Sequence, residues 1–388
     1  MKIPISKTIL NEHEISSVLE PLRSGWLVQG PKVKEFEEKW CEFTKAKHSI
    51  AVTSCTTAMT LSLIALGFKD GDEAIVPAFT WISTANVVEQ LGGKVVFCDI
   101  NLDSFNLDIS QIENKITTKT KVILPVHLFG LPVEMEPIIK LSKKYNLKII
   151  EDAACGFGSY YKGKHVGNFG DTGCFSFHPR KSITTGEGGM ITTQDNKIAE
   201  KIRVLRDHGA SISDLQRHLG PKPYILSDHT EAGYNNRLTD IQGALGSAQM
   251  DRANEILFER NKIAIRYKEE FSKLSWLKTP LEFKSLKHGF QSFPCLYRSD
   301  EINIKNIPVI NKKRNEWMEE LQENGISTRP STHSVHTLSY YKNKYKILPE
   351  EMPNSLIASE CSISLPLYNG MTEREQDYVI KKVSEHKI

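Results

Sequence analysis

Over roughly the first 200 residues, short apolar, β-branched runs alternate with longer segments of helical period. That is the pattern of an α/β fold whose strands pair in parallel through crossover helices. The runs are Ser49 to Thr53, Glu73 to Val76, Val95 to Cys98, Val122 to Leu124, Lys148 to Ile150, Cys174 to Phe177 and Met190 to Thr193. Most of the intervals between them can hold the helix that a parallel connection requires. Ahead of them, Ile15, Val18, Leu19 and Leu22 recur at helical spacing and predict an amphipathic opening helix.

From Thr239 to about Leu274 the apolar spacing (Ile241, Leu245, Ala248, Ile256, Ile263) predicts a long helical segment able to bridge two domains. The rest mixes strands and helices as a smaller α+β unit. A chain of 388 residues suits two domains at about 100 to 200 residues each. The expected division is 1–250, a large α/β domain with the opening helix, and 251–388, a small C-terminal α+β domain. Ser211 to His229, rich in polar residues, Gly and Pro, predicts a mobile loop.

Charge narrows the partners. With 50 Lys+Arg against 47 Asp+Glu and no long basic block, the chain lacks the field that tracks a nucleic-acid backbone. The best apolar stretch, Lys121 to Val133, is interrupted by His127, Gly130 and Pro132, and falls short of the roughly 18 residues of a membrane span. The opening MKIPISKTILNEHE turns polar too early for a signal peptide. Seven scattered cysteines without C-x-x-C, and twelve histidines without H-E-x-x-H, indicate neither a disulfide framework nor a metal site. Together these features predict a cytoplasmic protein.

Two phosphate-loop patterns fail on detail. Gly158-Ser-Tyr-Tyr-Lys-Gly163-Lys164 fits G-x-x-x-x-G-K, but His165 stands where a magnesium-binding Ser or Thr belongs. No G-x-G-x-x-G follows a strand, which removes the dinucleotide fingerprint. These glycines read as a turn between strands.

The stretch Cys174-Phe-Ser-Phe-His-Pro-Arg-Lys181-Ser-Ile-Thr-Thr-Gly186-Glu-Gly-Gly189 places a lysine between an apolar strand and a glycine-rich turn. Lys148-Ile-Ile-Glu-Asp152 puts a carboxylate at a strand's C-terminal end, where open α/β sheets form their ligand crevice. Val52-Thr-Ser-Cys55-Thr56-Thr ends a strand in small residues and opens a helix suited to a phosphate. Pro77-Ala-Phe-Thr-Trp81 offers an aromatic plane. Singly these read as a solvated lysine, two helix caps and a core aromatic. Jointly they are what pyridoxal 5′-phosphate requires: an amine for a Schiff base, a carboxylate for the pyridine nitrogen, a phosphate site and a stacking ring.

The order of the blocks S-F-H-x-x-K-x-I-T-T-G-E-G-G, E-D-A-A and G-Y-N-x-R resembles the DegT/DnrJ/EryC1/StrS sugar aminotransferases over nearly the whole chain. The resemblance implies a type I PLP-dependent aminotransferase fold, with a mostly parallel central sheet, flanking helices and a smaller C-terminal α+β domain. It also implies a homodimer that moves the amino group of L-glutamate to a keto sugar carried on a nucleoside diphosphate.

By position, Lys181 resembles the family's Schiff-base lysine and proton shuttle, Asp152 its pyridinium partner, Cys55 and Thr56 the phosphate-binding helix start, and Ser176 a further phosphate ligand. Trp81 matches the stacking aromatic. Asn235 in Gly233-Tyr-Asn-Asn-Arg237 is similar to the asparagine given across the dimer interface to the neighbour's cofactor phosphate, with Arg237 as the alternative for that part. Arg329 and His336 fall where the family closes over its sugar nucleotide. His178 is expected either to line the sugar pocket or to pack as a core histidine.

One position departs from the family: many members carry Gln three residues after the aspartate, where this chain has Cys155, a poorer hydrogen-bond partner. Relatives that dehydrate their sugar replace the lysine by His, so Lys181 points to transamination. The segment Ile183 to Gly189 looks more like relatives acting on 4-keto-6-deoxy sugars than like the 3-keto group. A non-catalytic sensor that keeps the cofactor is the other alternative, and the presence of Lys181, Asp152 and Ser176 together argues against it.

Overall fold

Seven strands form the central sheet: β1 (His48–Val52), β2 (Glu73–Pro77), β3 (Lys94–Cys98), β4 (Thr120–Ile123), β5 (Lys148–Asp152), β6 (Thr172–Ser176) and β7 (Gly189–Thr193). All seven expected runs are present, their ends displaced by a residue or two. The strands lie in the order β3-β2-β4-β5-β6-β7-β1. Neighbours are parallel except β7, which runs antiparallel to both β6 and β1. The exception follows from the connection, because the segment from Phe177 to Gly188 carries no helix to return the chain. In β2 every residue is buried, as a strand covered on both faces requires.

The computed structural model describes residues 1–212, 215–216 and 224–387. Positions 213, 214 and 217–223 of the expected loop Ser211 to His229 therefore lie outside the described residues. The G-x-x-x-x-G-K stretch forms a two-stranded hairpin, Tyr160–Tyr161 against Lys164–His165, on the connection from β5 to β6. Lys162 and Gly163 at its tip both have positive φ, 49° and 79°, the geometry that twists with a tight hairpin. The pattern is a turn, as its missing Ser or Thr foretold.

The opening helix α1 (Glu12–Ser24) begins with a capping box between Asn11 and Glu14. It turns Glu14 and Pro21 inward and leaves Ile15, Leu19 and Leu22 exposed, so its apolar stripe does not face this chain's core. Glu14 is held by Arg252, whose Nε donates to Oε1 at 2.6 Å. Helix α2 (Pro31–Thr44) starts without a side-chain cap of its own. Asp240 supplies one from afar, accepting from the amides of Gly30 at 2.7 Å and Val33 at 3.0 Å, which satisfies donors that a helix start leaves unpaired.

Two further helices frame the sheet's C-terminal edge, α3 (Cys55–Ala65) and α4 (Ser83–Gln90). The long helical segment expected from Thr239 is two helices, α5 (Asp240–Asp251) and α6 (Ala253–Phe271). The break is at Arg252, where φ −116° and ψ 23° leave the helical region. Beyond it, β8 (Leu277–Lys278), β9 (Phe293–Tyr297) and β10 (Ser362–Leu365) make an antiparallel sheet in the order β8-β9-β10. Its core gathers Trp276, Tyr297 and Trp317, and also takes Ile3, Phe79 and Phe129 from the first part of the chain. Among the described residues no helix is long and apolar enough to cross a membrane.

Candidate active site

Because β1, β2, β5 and β6 run the same way, their C-terminal ends share one edge of the sheet. Here stand Val52, Pro77, Asp152 and Ser176. The start of α3 is pressed against this edge: a Cβ on Gly189 would lie 2.4 Å from the Ser54 carbonyl carbon and 2.7 Å from the Cys55 amide. Only glycine permits that approach. Ser54 caps α3 by accepting from the Thr57 amide at 3.1 Å. The first amides of the helix thus open on the same edge.

Lys181 sits on the loop between β6 and β7, which Gly186 bends with φ +81°. Its Nζ donates to Cys155 Sγ at 3.1 Å. Lysine and cysteine share a small cavity of about 10 Å³ with Ala153, Ala154, Ser176 and Gln291. Burial disfavours the ammonium, whereas Cys155, Cys55 and Asp152 around it favour it, and the balance lies above the ordinary lysine range.

Asp152, 3% exposed, accepts from Thr84 Oγ1 at 2.7 Å and from the Ala154 amide at 3.1 Å. Its neighbour Glu151 points to the other face of the sheet, as strand periodicity requires. Glu151 accepts from His127 Nε2 at 2.9 Å and from the amides of Gly167, Phe169 and Gly170 at 2.6 to 2.7 Å. Burial opposes that carboxylate, yet these donors hold it below the usual glutamate range. The His127 amide in turn donates to the Asp152 carbonyl at 3.0 Å, so one buried network fixes the end of β5.

The sequence therefore placed Lys181, Asp152, Ser176, Cys55 and Thr56 on one edge, and the fold brings them together. Thr56 is half-buried in the first turn of α3. The Cys55 side chain is buried and donates to the Cys174 carbonyl at 3.4 Å; burial pushes its thiol well up. That leaves its backbone amide, rather than its sulfur, to meet a ligand. Trp81 is 60% exposed, with its ring 5.7 Å from that of His333. His333–Ser334 pairs with Phe79–Thr80, carrying the C-terminal part of the chain over the crevice.

The remaining residues divide. His178 is half-buried; burial pushes its ring below the ordinary histidine range, and Nδ1 accepts from the Arg180 amide at 3.2 Å. Asn235 is exposed, next to the bridge that ties its backbone to Asp207. Arg237 pairs with the Asp207 carboxylate and bridges to Val52 through its backbone. Arg329 is exposed and bridged to Ser364. His336 is a correction: it is 0% exposed, with Nδ1 paired to Ser334 Oγ at 3.1 Å and Nε2 to the Pro349 carbonyl at 3.3 Å. Both nitrogens are already spent on packing, which withdraws it from the substrate-facing set.

Sequence reasoning missed Thr84, Gln291 and Arg260. The Arg260 guanidinium is buried and pairs with no carboxylate among the described residues, donating to the carbonyls of Phe290 at 3.0 Å and Gln291 at 2.6 Å; burial pushes it down to about 10. Gln291 also donates to the Arg180 carbonyl at 2.8 Å, tying the loop before β9 to the lysine loop. The signal available was slight: a buried arginine on the inward face of α6, at helical spacing from Ile256 and Ile263.

The model of the DegT/DnrJ/EryC1/StrS aminotransferase family matches residues 8–384. The chain is 34% identical over 383 residues to the spore coat polysaccharide biosynthesis protein SpsC of Bacillus subtilis, covering 99% of this chain and 96% of SpsC. It is similar in structure to Spr1654 of Streptococcus pneumoniae, described as a sugar aminotransferase and solved in PMP and PLP forms. For the PMP form the TM-score is 0.89 at 30% identity, over 98% of both chains. PseC of Helicobacter pylori, an aminotransferase involved in the biosynthesis of pseudoaminic acid, matches with TM-score 0.89 and 28% identity over 99% of both chains.

Proposed function

Given that the chain belongs to the DegT/DnrJ/EryC1/StrS aminotransferase family, and is therefore a PLP-dependent sugar aminotransferase, we propose that it transfers the amino group of L-glutamate to a nucleoside-diphosphate-linked keto sugar. The acceptor in this reading is a 4-keto-6-deoxy sugar, and the products are an amino sugar nucleotide and 2-oxoglutarate. The observation that carries the reading is the meeting of Lys181, a buried Asp152 and the open start of α3 on one sheet edge.

The donor set suits pyridoxal phosphate. The cofactor, when bound, supplies an aldehyde and an electron-withdrawing ring that stabilises charge at a carbon losing its proton. Asp152, aimed by Thr84, would hold the proton on the ring nitrogen. Ser176 and the first amides of α3, at Cys55 and Thr56, would bind the phosphate, with Trp81 flanking the ring. Lys181 Nζ, in the cavity it shares with Cys155 and Ser176, would take a proton from the donor carbon and return it to the cofactor side in each half of a ping-pong cycle. His178, Arg237 and Arg329 would meet the sugar nucleotide.

The proposal includes a homodimer with shared sites, in which Asn235 reaches the partner's cofactor. Ile15, Leu19, Leu22, Leu27 and Val28 are exposed together around α1, a run of apolar surface that a second copy of the chain would cover. We also place the division between a cofactor-holding part and a smaller part at residues 250 and 251, beside the break at Arg252, and the protein in the cytoplasm. Incubation with L-glutamate and a panel of 3-keto and 4-keto sugar nucleotides tests the substrate. The expected result is 2-oxoglutarate formed one-for-one with an aminated 4-keto-6-deoxy substrate; amination of a 3-keto sugar alone would overturn the assignment.

A further inference from the structure

We propose that Gln249 and Gln291 are positioning residues for Lys181: their side-chain amides grip the backbone on either side of the lysine and so set where Nζ stands on the sheet edge. The inference rests on the reading above for the chemistry of the lysine, and on geometry for the rest. Lys181 lies in a segment without helix or strand, so no ladder of backbone bonds fixes it. The backbone closes this loop near its ends, where the Phe177 amide donates to the Gly188 carbonyl at 2.9 Å and the Thr185 amide to the Phe177 carbonyl at 3.0 Å.

Inside the loop, side chains from elsewhere take over. Gln291 Nε2 donates to the Arg180 carbonyl at 2.8 Å, just before the lysine. Beyond the lysine, Gln249 grips Thr184 at both backbone groups: Oε1 accepts from the Thr184 amide at 3.1 Å and Nε2 donates to the Thr184 carbonyl. Thr8 Oγ1 adds a bond to the Pro179 carbonyl at 3.2 Å, and Gln242 Nε2 adds one to the Glu187 carbonyl at 2.6 Å. Backbone groups taken from water need partners, and the two that flank the lysine most closely are supplied by α5 and by the segment before β9.

Both amides are themselves held. Gln249 is 3% exposed, and its Nε2 also donates to the Leu245 carbonyl one turn back at 3.2 Å. Gln291 Oε1 accepts from Ser292 Oγ at 2.9 Å, which leaves Nε2 for the lysine loop. The Gln291 backbone is fixed as well: its amide donates to the Phe129 carbonyl at 2.9 Å, and Arg260 donates to its carbonyl at 2.6 Å. Gln291 also lines the small cavity that Lys181 enters. Misplacing a reacting group by about 1 Å can cost on the order of a hundredfold in rate, so bonds that fix this backbone bear on turnover through the lysine they carry.

The test uses the full-length protein with Gln291→Ala, at a half-buried position, and Gln249→Leu, which roughly keeps the volume of a buried side chain; denaturant unfolding confirms that each is folded at the assay temperature. In the first arm, backbone hydrogen exchange of the cofactor-free proteins is followed by mass analysis of peptides covering residues 177–188. Exchange there should quicken by about tenfold in both variants, while peptides of β5 keep the native rate. In the second arm, pyridoxal phosphate is bound and L-glutamate bleaches the visible band in a single turnover. Bleaching at saturating L-glutamate should slow by roughly tenfold to a hundredfold, with the half-saturating concentration within about twofold of native. A folded Gln291→Ala protein with native exchange or a native bleaching rate would overturn the proposal, and a raised half-saturating concentration alone would mark a binding role in its place. A native protein that gains no visible band would contradict the functional reading instead, while the exchange arm would still decide whether the two glutamines hold the loop.

Discussion

Thr84 Oγ1 donates to Asp152 Oδ2 at 2.7 Å, and both residues are buried. The hydroxyl stands in the first turn of α4, the carboxylate at the end of β5. The contact thus joins the strand end to the helix that follows Trp81. A hydrogen bond to an ionised group is worth about 1.5 to 3 kcal/mol, enough to fix the carboxylate's direction.

Thr84→Val should therefore leave the protein folded but weaken its hold on pyridoxal phosphate by roughly tenfold, the equivalent of about 1.4 kcal/mol. Equilibrium titration of the cofactor-free variant measures this. Asp152→Asn should be the more severe change, since it removes the charge itself. Native-like affinity in both variants would show that Asp152 does not meet the cofactor.

Glu151 has all its oxygens engaged by four donors: His127 and the amides of Gly167, Phe169 and Gly170. Glu151→Gln puts an NH2 where only donors face it, at a cost of about 3 kcal/mol for buried groups left unpaired. Denaturant unfolding should show that loss, and the pyridoxal phosphate affinity should fall with it because the same network holds β5. Retention of full stability would mean that the network rearranges at little cost.

His165 supplies the pH prediction. Its ring is buried; Nε2 accepts from the Gly158 amide at 3.1 Å and Nδ1 donates to the Val166 carbonyl at 2.7 Å. Burial pushes it down to about 4, whereas an unfolded histidine titrates near 6.5. The unfolded chain therefore binds the extra proton first. Stability from this group should be flat above about pH 6.5 and decline by up to about 3 kcal/mol as pH falls to about 4. His165→Asn should flatten that slope in denaturant unfolding between pH 7.5 and 4.5; an unchanged slope would acquit His165.

Shared sites predict complementation. Lys181→Ala and an Asn235→Asp variant, each inactive alone, should regain activity when mixed, unfolded and refolded together. The mixed dimer would hold one site with an intact lysine from one chain and an intact asparagine from the other. Absence of any recovery, with mixed dimers shown to form, would place each site within a single chain.

Much of this was legible in the sequence because sheet edges collect strand ends. A lysine after one apolar run, an aspartate ending another and small residues ending a third must converge once the strands are parallel. The antiparallel turn of β7 was hinted at by the glycine-rich, helix-free interval that holds Lys181. Thr84 was invisible, because its partner lies across the sheet edge and nothing local marks a threonine as a carboxylate's donor. His336 misled for the opposite reason: its place in the chain resembled a substrate-closing segment, whereas burial and two internal partners make it part of the packing. The amphipathic period of α1 was legible, but periodicity shows a face without saying which surface covers it.

Lys181 is the residue on which the chemistry with pyridoxal phosphate and an amino donor turns. The most direct measurement is the visible absorption spectrum of the protein with pyridoxal phosphate, before and after L-glutamate, with Lys181→Ala as control. The native protein should show a visible band that L-glutamate bleaches, and the variant no such lysine-dependent band. A native protein that gains no band, or a Lys181→Ala protein that consumes L-glutamate at the native rate, would contradict that role for Lys181.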